Sequence, residues 1–565
     1  MLYTLLSYIT YKEIVADLIL LACLVFAWRM PLFANRLFSV MERLGTLLSH
    51  RKGLTVGMIG MVGIVIRLSL LRWLSIPIPE IHDEFSYLLA GDTFAHGHLV
   101  NPPHPMSIFF ETIHVNQLPT YMSKYPPAQG AVLALGQLLG NPWIGVLLST
   151  AGMSAVALWM LQGWMPPQWA LLGGTLVMLR LGIFTYWMNS YWGGAVPAIG
   201  GALVVGALPR ILHRHRARDA IIMGLGASIL ASSRPLEGLF LCVPVMVLLI
   251  MWAFRRRKTC LRPILLRFFL PFCAVALLAG IFLGYYNWRG TGNPFLFPYV
   301  LNQRTYSTTP AFVWQNAGQP RHYLDPQLED YYNRWNRDYW EYYRVNSFGS
   351  AMRHLALLIP RFVYFFLWPE LFVPFLSLPW LLRDRRIRFL FAQTGFYFLG
   401  TYSVLWFLPH YAAPLMATVF ALLTQAIRHL RRWRYNGRPV GIGLSRVVVL
   451  FAVLLAPIHE RAAILGHPPP DIEYRAAVSA KLNDLPGEHL VIVRYSSEVE
   501  TGEWVYNAAD IGHAKVVWAR ELTGVSSAPL LNYFKGRKVW LVEPGVLPVE
   551  LEPYSPPPAP TAEKQ

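Results

Sequence analysis

Acidic side chains are scarce in this sequence: 31 Asp and Glu stand against 49 Lys and Arg in 565 residues. Charge of either sign is thin, at 14% of residues, while 55% are hydrophobic and the mean hydropathy is +0.37. A soluble protein of this length would need far more polar surface, so that class is excluded. Cysteine is nearly absent too. The four present, Cys23, Cys242, Cys260 and Cys273, lie in apolar runs or in a basic loop. None falls in the long polar segments, which leaves neither a disulfide framework nor a cysteine metal site to expect.

What fills the sequence instead is a recurrence of apolar runs of about 20 residues, the length of a transmembrane helix. The runs cover about 14–34, 54–75, 142–165, 169–188, 194–212, 219–233, 236–254, 263–286, 363–382, 389–408, 411–428 and 440–459. They predict about twelve spans. A net charge of +18 would point to nucleic acid in a soluble chain. Here the basic residues gather in short loops: Arg29, Arg36, Arg43, Arg51 and Lys52, then 213–219, 255–258, 383–388 and 428–434. Such clusters set membrane orientation, and no nucleic-acid partner is expected. With every cluster cytoplasmic, the runs between them pair off and both termini lie outside. Glu13 and Asp17 beside a single Lys12 are unlike the start of a signal peptide, so the first run reads as an uncleaved helix.

Three polar regions then face the extracytoplasmic side: about 76–130, about 287–355 and everything after about 461. The second is dense in aromatics, as in YYNRWNRDYWEYY at 331–343, the pattern of an interfacial helix in an aromatic belt. After 461, strand-length runs rich in β-branched residues at 489–495, 514–521 and 537–544 are separated by helical stretches such as 528–534. That alternation predicts a small α/β domain. The expected organisation is a transmembrane domain over 1–460, an extracytoplasmic α/β domain over 461–550 and a Pro-rich tail over 551–565. The fold class is an all-α polytopic membrane protein with a small α/β C-terminal domain.

The first polar region opens with PIPEIHDEFSYLLAGDTFAHGHL, residues 77–99, immediately after a span. A chain with so few acids clusters Glu80, Asp83, Glu84 and Asp92 at one membrane face, and charge near membrane depth is a functional candidate by default. The plain alternative is that Asp83 caps a helix on which Tyr87, Ala90 and Phe94 share a face. The region ends with LPTYMSKYPPAQG, where Lys124 sits between two tyrosines and before Pro126 and Pro127. A cation on a stiff interfacial turn suits a lipid phosphate; a snorkelling lysine is the plain alternative.

These motifs, in this order, resemble the GT-C superfamily of membrane glycosyltransferases. The likeness is to the branch that holds the protein O-mannosyltransferases and the aminoarabinose transferases of lipid A. That branch carries an Asp-Glu-x-x-Tyr-x-x-x-Ala loop, matched here by Asp83, Glu84, Tyr87 and Gly91, with Ala90 one place early. Its Lys-Pro-Pro element is similar to Lys124-Tyr125-Pro126-Pro127, with one residue inserted. Its Arg-Tyr-x-x-Pro element is similar to HYAAP at 410–414, with His410 in place of Arg, and TGNPFLFPY at 291–299 also looks alike. The resemblance covers about 54–430. It implies transfer of a hexosyl or pentosyl group from a polyprenyl-phosphate donor to a lipid, glycan or protein hydroxyl at the outer face of the bacterial plasma membrane. On that basis Asp83 is the expected base, with Glu84 as its partner on the acceptor or a metal. Lys124, Arg234, His410 and Tyr411 are expected on the donor phosphate, with Arg304 and Arg321 behind them. Tyr87, Tyr125 and Asn189 are expected at the acceptor or sugar.

The match departs from the family at Asn189, where related transferases often place a second acid, which puts a two-acid mechanism in doubt. No cofactor is required, although a divalent metal stays open with His82, His96 and His98 as candidate ligands. An i, i+2 spacing on a helix does not bring His96 and His98 together. Rival readings are a transporter or flippase of lipid-linked sugars, for which Arg67 and Arg180 within spans are the only hints; a non-enzymatic envelope scaffold; and a polymerase using a diphosphate-linked donor.

Overall fold

The computed structural model describes residues 11–214, 216–459, 470–495, 502–546 and 548–555. The tail beyond 555, the 460–469 boundary and the Cys260 side chain lie outside them. The chain is a multi-pass, mainly helical membrane protein with a small sheet near its C-terminus. Each of the twelve apolar runs forms helix. Among the described residues six helices are long and apolar enough to cross a membrane: Lys52–Ser69, Pro142–Trp164, Ala195–Arg214, Pro235–Arg256, Arg262–Thr291 and Pro409–Arg431. Phe348–Phe366 and Pro369–Arg383 make a seventh if taken as one span, bent by 102°.

The others are short for physical reasons. Pro167–Leu181, Ala217–Ala231 and Arg388–Tyr402 have 15 residues each, about 22 Å of helix against roughly 30 Å of hydrocarbon. The 169–188 run leaves helix after Leu181 and continues as turns to 194. The 363–382 run breaks before Pro369, which has no amide proton to continue the ladder.

Two short helices carry the first polar region. His82–Ala95 and Pro127–Leu138 lie against each other through small residues. A Cβ on Gly91 would come within 2.9 Å of the Leu133 Cβ, and one on Gly130 within 2.6 Å of the Ala90 Cβ. The small residues of the Asp-Glu motif are thus the seam of this helix pair. Between the helices, Val115–Asn116 and Met122–Ser123 pair antiparallel, with Val115 opposite Ser123. That pairing lays His114 beside Lys124, whose amide donates to the His114 carbonyl at 3.2 Å.

The C-terminal sheet has His489–Val493 at its centre, parallel to Val516–Arg520 on one side and Lys538–Val542 on the other. Glu552–Pro553 adds an antiparallel edge. The alternation of a strand divides its residues between two cores. Val491, Val493 and Trp518 pack with Val478 and Leu482 of the Pro470–Asp484 helix. Leu490, Ile492, Val517 and Ala519 pack with Leu89, Phe109, Phe110, Val115 and Tyr121 of the first polar region. The sheet therefore shares a hydrophobic core with that region. Arg520 closes the junction: wholly buried, it donates to Asp325 Oδ1 at 2.6 Å, to Glu503 and to the Glu111 carbonyl.

Candidate active site

The site begins at the start of the His82–Ala95 helix. Ile81 is the residue before the first turn, so the capping role anticipated for Asp83 falls to Glu84. The Glu84 carboxylate turns back to accept from the amides of Glu80 (2.7 Å) and Ile81 (3.1 Å), and across to the amide of Tyr191 at 2.9 Å. The Ile81 donor is an orphan of the helix N-terminus, the Glu80 donor lies just before it, and the third fixes the turns after Leu181. Burial raises the Glu84 pKa to about 7, against the pull of its amide donors.

Asp83, one place earlier, keeps 21% of its side chain exposed and takes a different set of partners. The Tyr125 hydroxyl donates to its Oδ1, and His114 Nδ1 lies 3.7 Å from its Oδ2. Tyr125 and His114 Nδ1 are 3.1 Å apart, and Tyr331 reaches His114 Nε2 at 3.1 Å. Tyr125 has one proton and directs it at Asp83, so the network assigns the N–H of His114 to Nδ1, with Nε2 accepting from Tyr331. Burial, with Lys124 and His82 near it, holds His114 well below its ordinary pKa and so neutral. His114 itself has φ +69°, the left-handed region that a non-glycine residue occupies only when its surroundings hold it there. Its carbonyl accepts from Ser86 Oγ at 2.7 Å as well as from Lys124.

Cations approach from the other side. Lys124 is half-buried and feels both Asp83 and Arg234; burial and Arg234 lower its pKa to about 8, with Asp83 opposing. Pro126 and Pro127 start the next helix, where a missing amide proton costs nothing, and so fix Lys124 just before it. The Ala128 amide donates to the Ser232 carbonyl at 2.9 Å, which brings Arg234 to the same turn. The Arg234 guanidinium lies 4.1 Å over the Tyr411 ring, and Tyr87 stacks on Tyr125 at 4.3 Å. Asp83, Lys124, Tyr125, Arg234 and Tyr411 are each half-buried, and Lys124 lies within electrostatic reach of both Asp83 and Arg234.

Other expected site residues lie differently. His410 is 1% exposed, its Nδ1 at 3.0 Å from the Tyr186 hydroxyl and its ring against Trp192. Asn189 is engaged on both sides: the two N–H groups of its amide point among the carbonyls of Ile183, Phe184 and Thr185, and its oxygen accepts from Arg67. It holds the turns after Leu181 together, and its oxygen keeps a second lone pair beside the bond from Arg67. Arg321 is exposed and bonded within the second polar region, and Arg304 is exposed. The three histidines considered for a metal are not brought together. His82 bonds the Tyr506 hydroxyl at 3.1 Å, while His96 is exposed, about 21 Å along the helix, on its own Asp92 carbonyl, and His98 is exposed too. Among the described residues no group of three His, Cys, Asp or Glu converges.

Three residues that join these groups were not singled out from the sequence: His114, Tyr331 and Tyr506. Tyr506 comes from the C-terminal unit, stacks on Phe85 at 4.2 Å, bonds His82 and donates to the Ile113 carbonyl. His114 was visible as one of five histidines in the first region, but its contacts depend on the strand pairing that turns it inward.

No family model matches the sequence, and no curated protein does. Among solved structures the chain is similar to ArnT from Cupriavidus metallidurans bound to undecaprenyl phosphate. The two share 15% identity over 86% of this chain and 92% of that one, with a TM-score of 0.48. It is also similar to the Archaeoglobus fulgidus oligosaccharyltransferase in complex with zinc and sulfate, at 10% identity over 77% of this chain and 60% of that one, with a TM-score of 0.45.

Proposed function

We propose that the protein is a membrane glycosyltransferase that moves a sugar from a polyprenyl-phosphate donor to an acceptor hydroxyl at the outer face of the bacterial plasma membrane. One observation carries the reading: a half-buried cation, Lys124, lies within electrostatic reach of both the half-buried carboxylate of Asp83 and a second cation, Arg234. An acceptor hydroxyl is a weak nucleophile, and a base that removes its proton during attack speeds the step by on the order of 10²–10⁴. Asp83 is that base. The acceptor oxygen bonds the anomeric carbon, its proton passes to Asp83, and the bond from that carbon to the phosphate oxygen breaks. The electron pair leaves on the lipid phosphate. Lys124 and Arg234 neutralise the growing charge, so no proton donor is needed for departure. Tyr87 and Tyr125 form an aromatic wall, and Tyr411 steadies the Arg234 fork. Glu84 acts by holding the helix start and the 182–194 turns in place rather than by touching a reactant. The site faces outward because the basic clusters hold the opposite loops in the cytoplasm.

The transport reading is less well supported. Its only hints, Arg67 and Arg180, are engaged locally: Arg67 with the carbonyls of Leu74 and Ser75 and with Asn189, Arg180 with the Tyr364 carbonyl and the rings of Phe365 and Trp368.

The test is release of free polyprenyl phosphate by the purified protein from a panel of lipid-linked sugars, with cell-envelope extract as acceptor. Release with one donor, lost in folded Asp83→Asn, is the expected result, and it identifies the sugar. Equal turnover by the two proteins would remove Asp83 from the chemistry. No turnover with any donor would put transport or scaffolding first.

A further inference from the structure

Asp83 is the end of a directed chain of hydrogen bonds. With the proton of His114 assigned to Nδ1, as the Tyr125 bond to Asp83 requires, Tyr331 donates to His114 Nε2, His114 Nδ1–H donates to Tyr125, and Tyr125 donates to Asp83. Each member comes from a different segment. Asp83 is on the His82–Ala95 helix and His114 at the start of the strand pair. Tyr125 follows that pair, and Tyr331 is in the second polar region. Neutral histidine suits the middle place, since it offers one donor and one acceptor on opposite sides of a rigid ring. The surrounding structure holds His114 in its left-handed backbone conformation, with Ser86 and Lys124 both bonded to its carbonyl.

Resting on the transferase reading above, we propose that His114 and Tyr331 are positioning residues for the base. They act through Tyr125 to fix the rotamer of Asp83. A carboxylate has four lone-pair directions, and only one geometry meets the acceptor hydroxyl. A donor held at Oδ1 leaves Oδ2, which His114 Nδ1 approaches only to 3.7 Å, to take the proton. Small misplacements of a reacting group cost large factors in rate, which is why a chain of this kind affects turnover more than binding. Tyr331 also makes the second polar region part of the base: without that segment docked, His114 loses its acceptor-side partner and the chain is slack.

The test is a double-mutant cycle on turnover, because a residue that acts only through another contributes nothing once the other is silent. Tyr125→Phe, His114→Leu and Tyr331→Phe are each expected to lower kcat by about tenfold or more, a single lost hydrogen bond's worth, with donor KM unchanged. In the Tyr125→Phe background, His114→Leu and Tyr331→Phe are expected to cost no more than about twofold further. His114→Gln, which keeps a donor and an acceptor, is expected to recover part of the loss. Asp83→Asn is the control for the reading itself. Full additivity of His114→Leu with Tyr125→Phe would overturn the proposal while leaving Asp83 as base, as would wild-type kcat in Tyr331→Phe. If His114→Leu does not fold, Tyr331→Phe removes one hydroxyl and reads the same chain. An active Asp83→Asn would overturn the base and the chain together.

Discussion

Asp83 and Glu84, neighbours in the chain, leave the same helix turn for unrelated partners: Asp83 meets the Tyr125 hydroxyl, Glu84 the amides of Glu80, Ile81 and Tyr191. Successive residues on a helix point about 100° apart, and that angle separates a reactive group from a structural one. Asp83→Asn keeps an oxygen for Tyr125, so it should lower turnover by on the order of 10²–10⁴ while leaving the melting temperature nearly unchanged. Glu84→Ala strands buried amides and should cost on the order of 1–3 kcal/mol of stability. Thermal unfolding in detergent beside turnover per folded molecule separates the two. A stable but inactive Glu84→Ala would instead put Glu84 among the reacting groups.

Lys124 gives the proposed donor site its pH dependence. Burial and Arg234 bring its pKa down to about 8, so it is a cation below that pH and neutral above it. Attraction for the lipid phosphate is therefore full at pH 7 and falls as pH rises through about 8. In the free enzyme this reads out as an alkaline fall in kcat/KM near pH 8. Lys124→Arg, which stays charged at any accessible pH, should move that fall upward even if it lowers activity at pH 7. An unchanged alkaline limb in the arginine variant would assign the titration to another group.

Much of this arrangement was legible in the sequence because membrane helices and parallel strands announce themselves through hydrophobic length and β-branched runs. The strands at 489–493, 516–520 and 538–542 fall inside the runs that predicted them. What could not be read was which polar group each polar residue would meet. Asn189 looked like an acceptor ligand, and nothing local in the sequence showed that its two amide protons would go to carbonyls of the turns after Leu181. Hydropathy also averages over breaks such as the one before Pro369, so the 363–382 run did not show that two helices meet there at 102°. Tyr506 and Tyr331 reach the site from segments more than 200 residues from Asp83, and no local spacing encodes such a contact.

Gly130 offers a test of how the site is held. A Cβ there would meet Ala90 and Phe94, and overpacking of such a seam typically costs about 1–3 kcal/mol. Gly130→Val should therefore lower the melting temperature and also spread the helix that carries Asp83 from the helix that Lys124 precedes. Donor KM and kcat are both expected to suffer, unlike a mutation confined to the base. Wild-type kinetics in a destabilised Gly130→Val protein would show that the site does not depend on this seam.

The junction at Arg520 predicts how far the C-terminal unit matters to the membrane domain. Its guanidinium is fully buried and bonded to Asp325 from the second polar region, Glu503 from the C-terminal unit and the Glu111 carbonyl from the first. Arg520→Met leaves two buried carboxylates without their cation, and breaking a buried pair from one side costs about 3–5 kcal/mol. The exposed pair of Arg334 and Asp330 is the natural control: both side chains are at least 40% exposed, and exposed pairs contribute roughly 0–1 kcal/mol. Arg334→Ala should be close to silent. Arg520→Met should lower stability in a way that high salt does not reproduce, because the buried charges are not screened. It should also lower turnover, since Tyr506 and Tyr331 reach the site on the two segments that Arg520 ties together. If Arg520→Met lost stability but kept full kcat, the C-terminal unit would be a support for the polar regions and not a wall of the site.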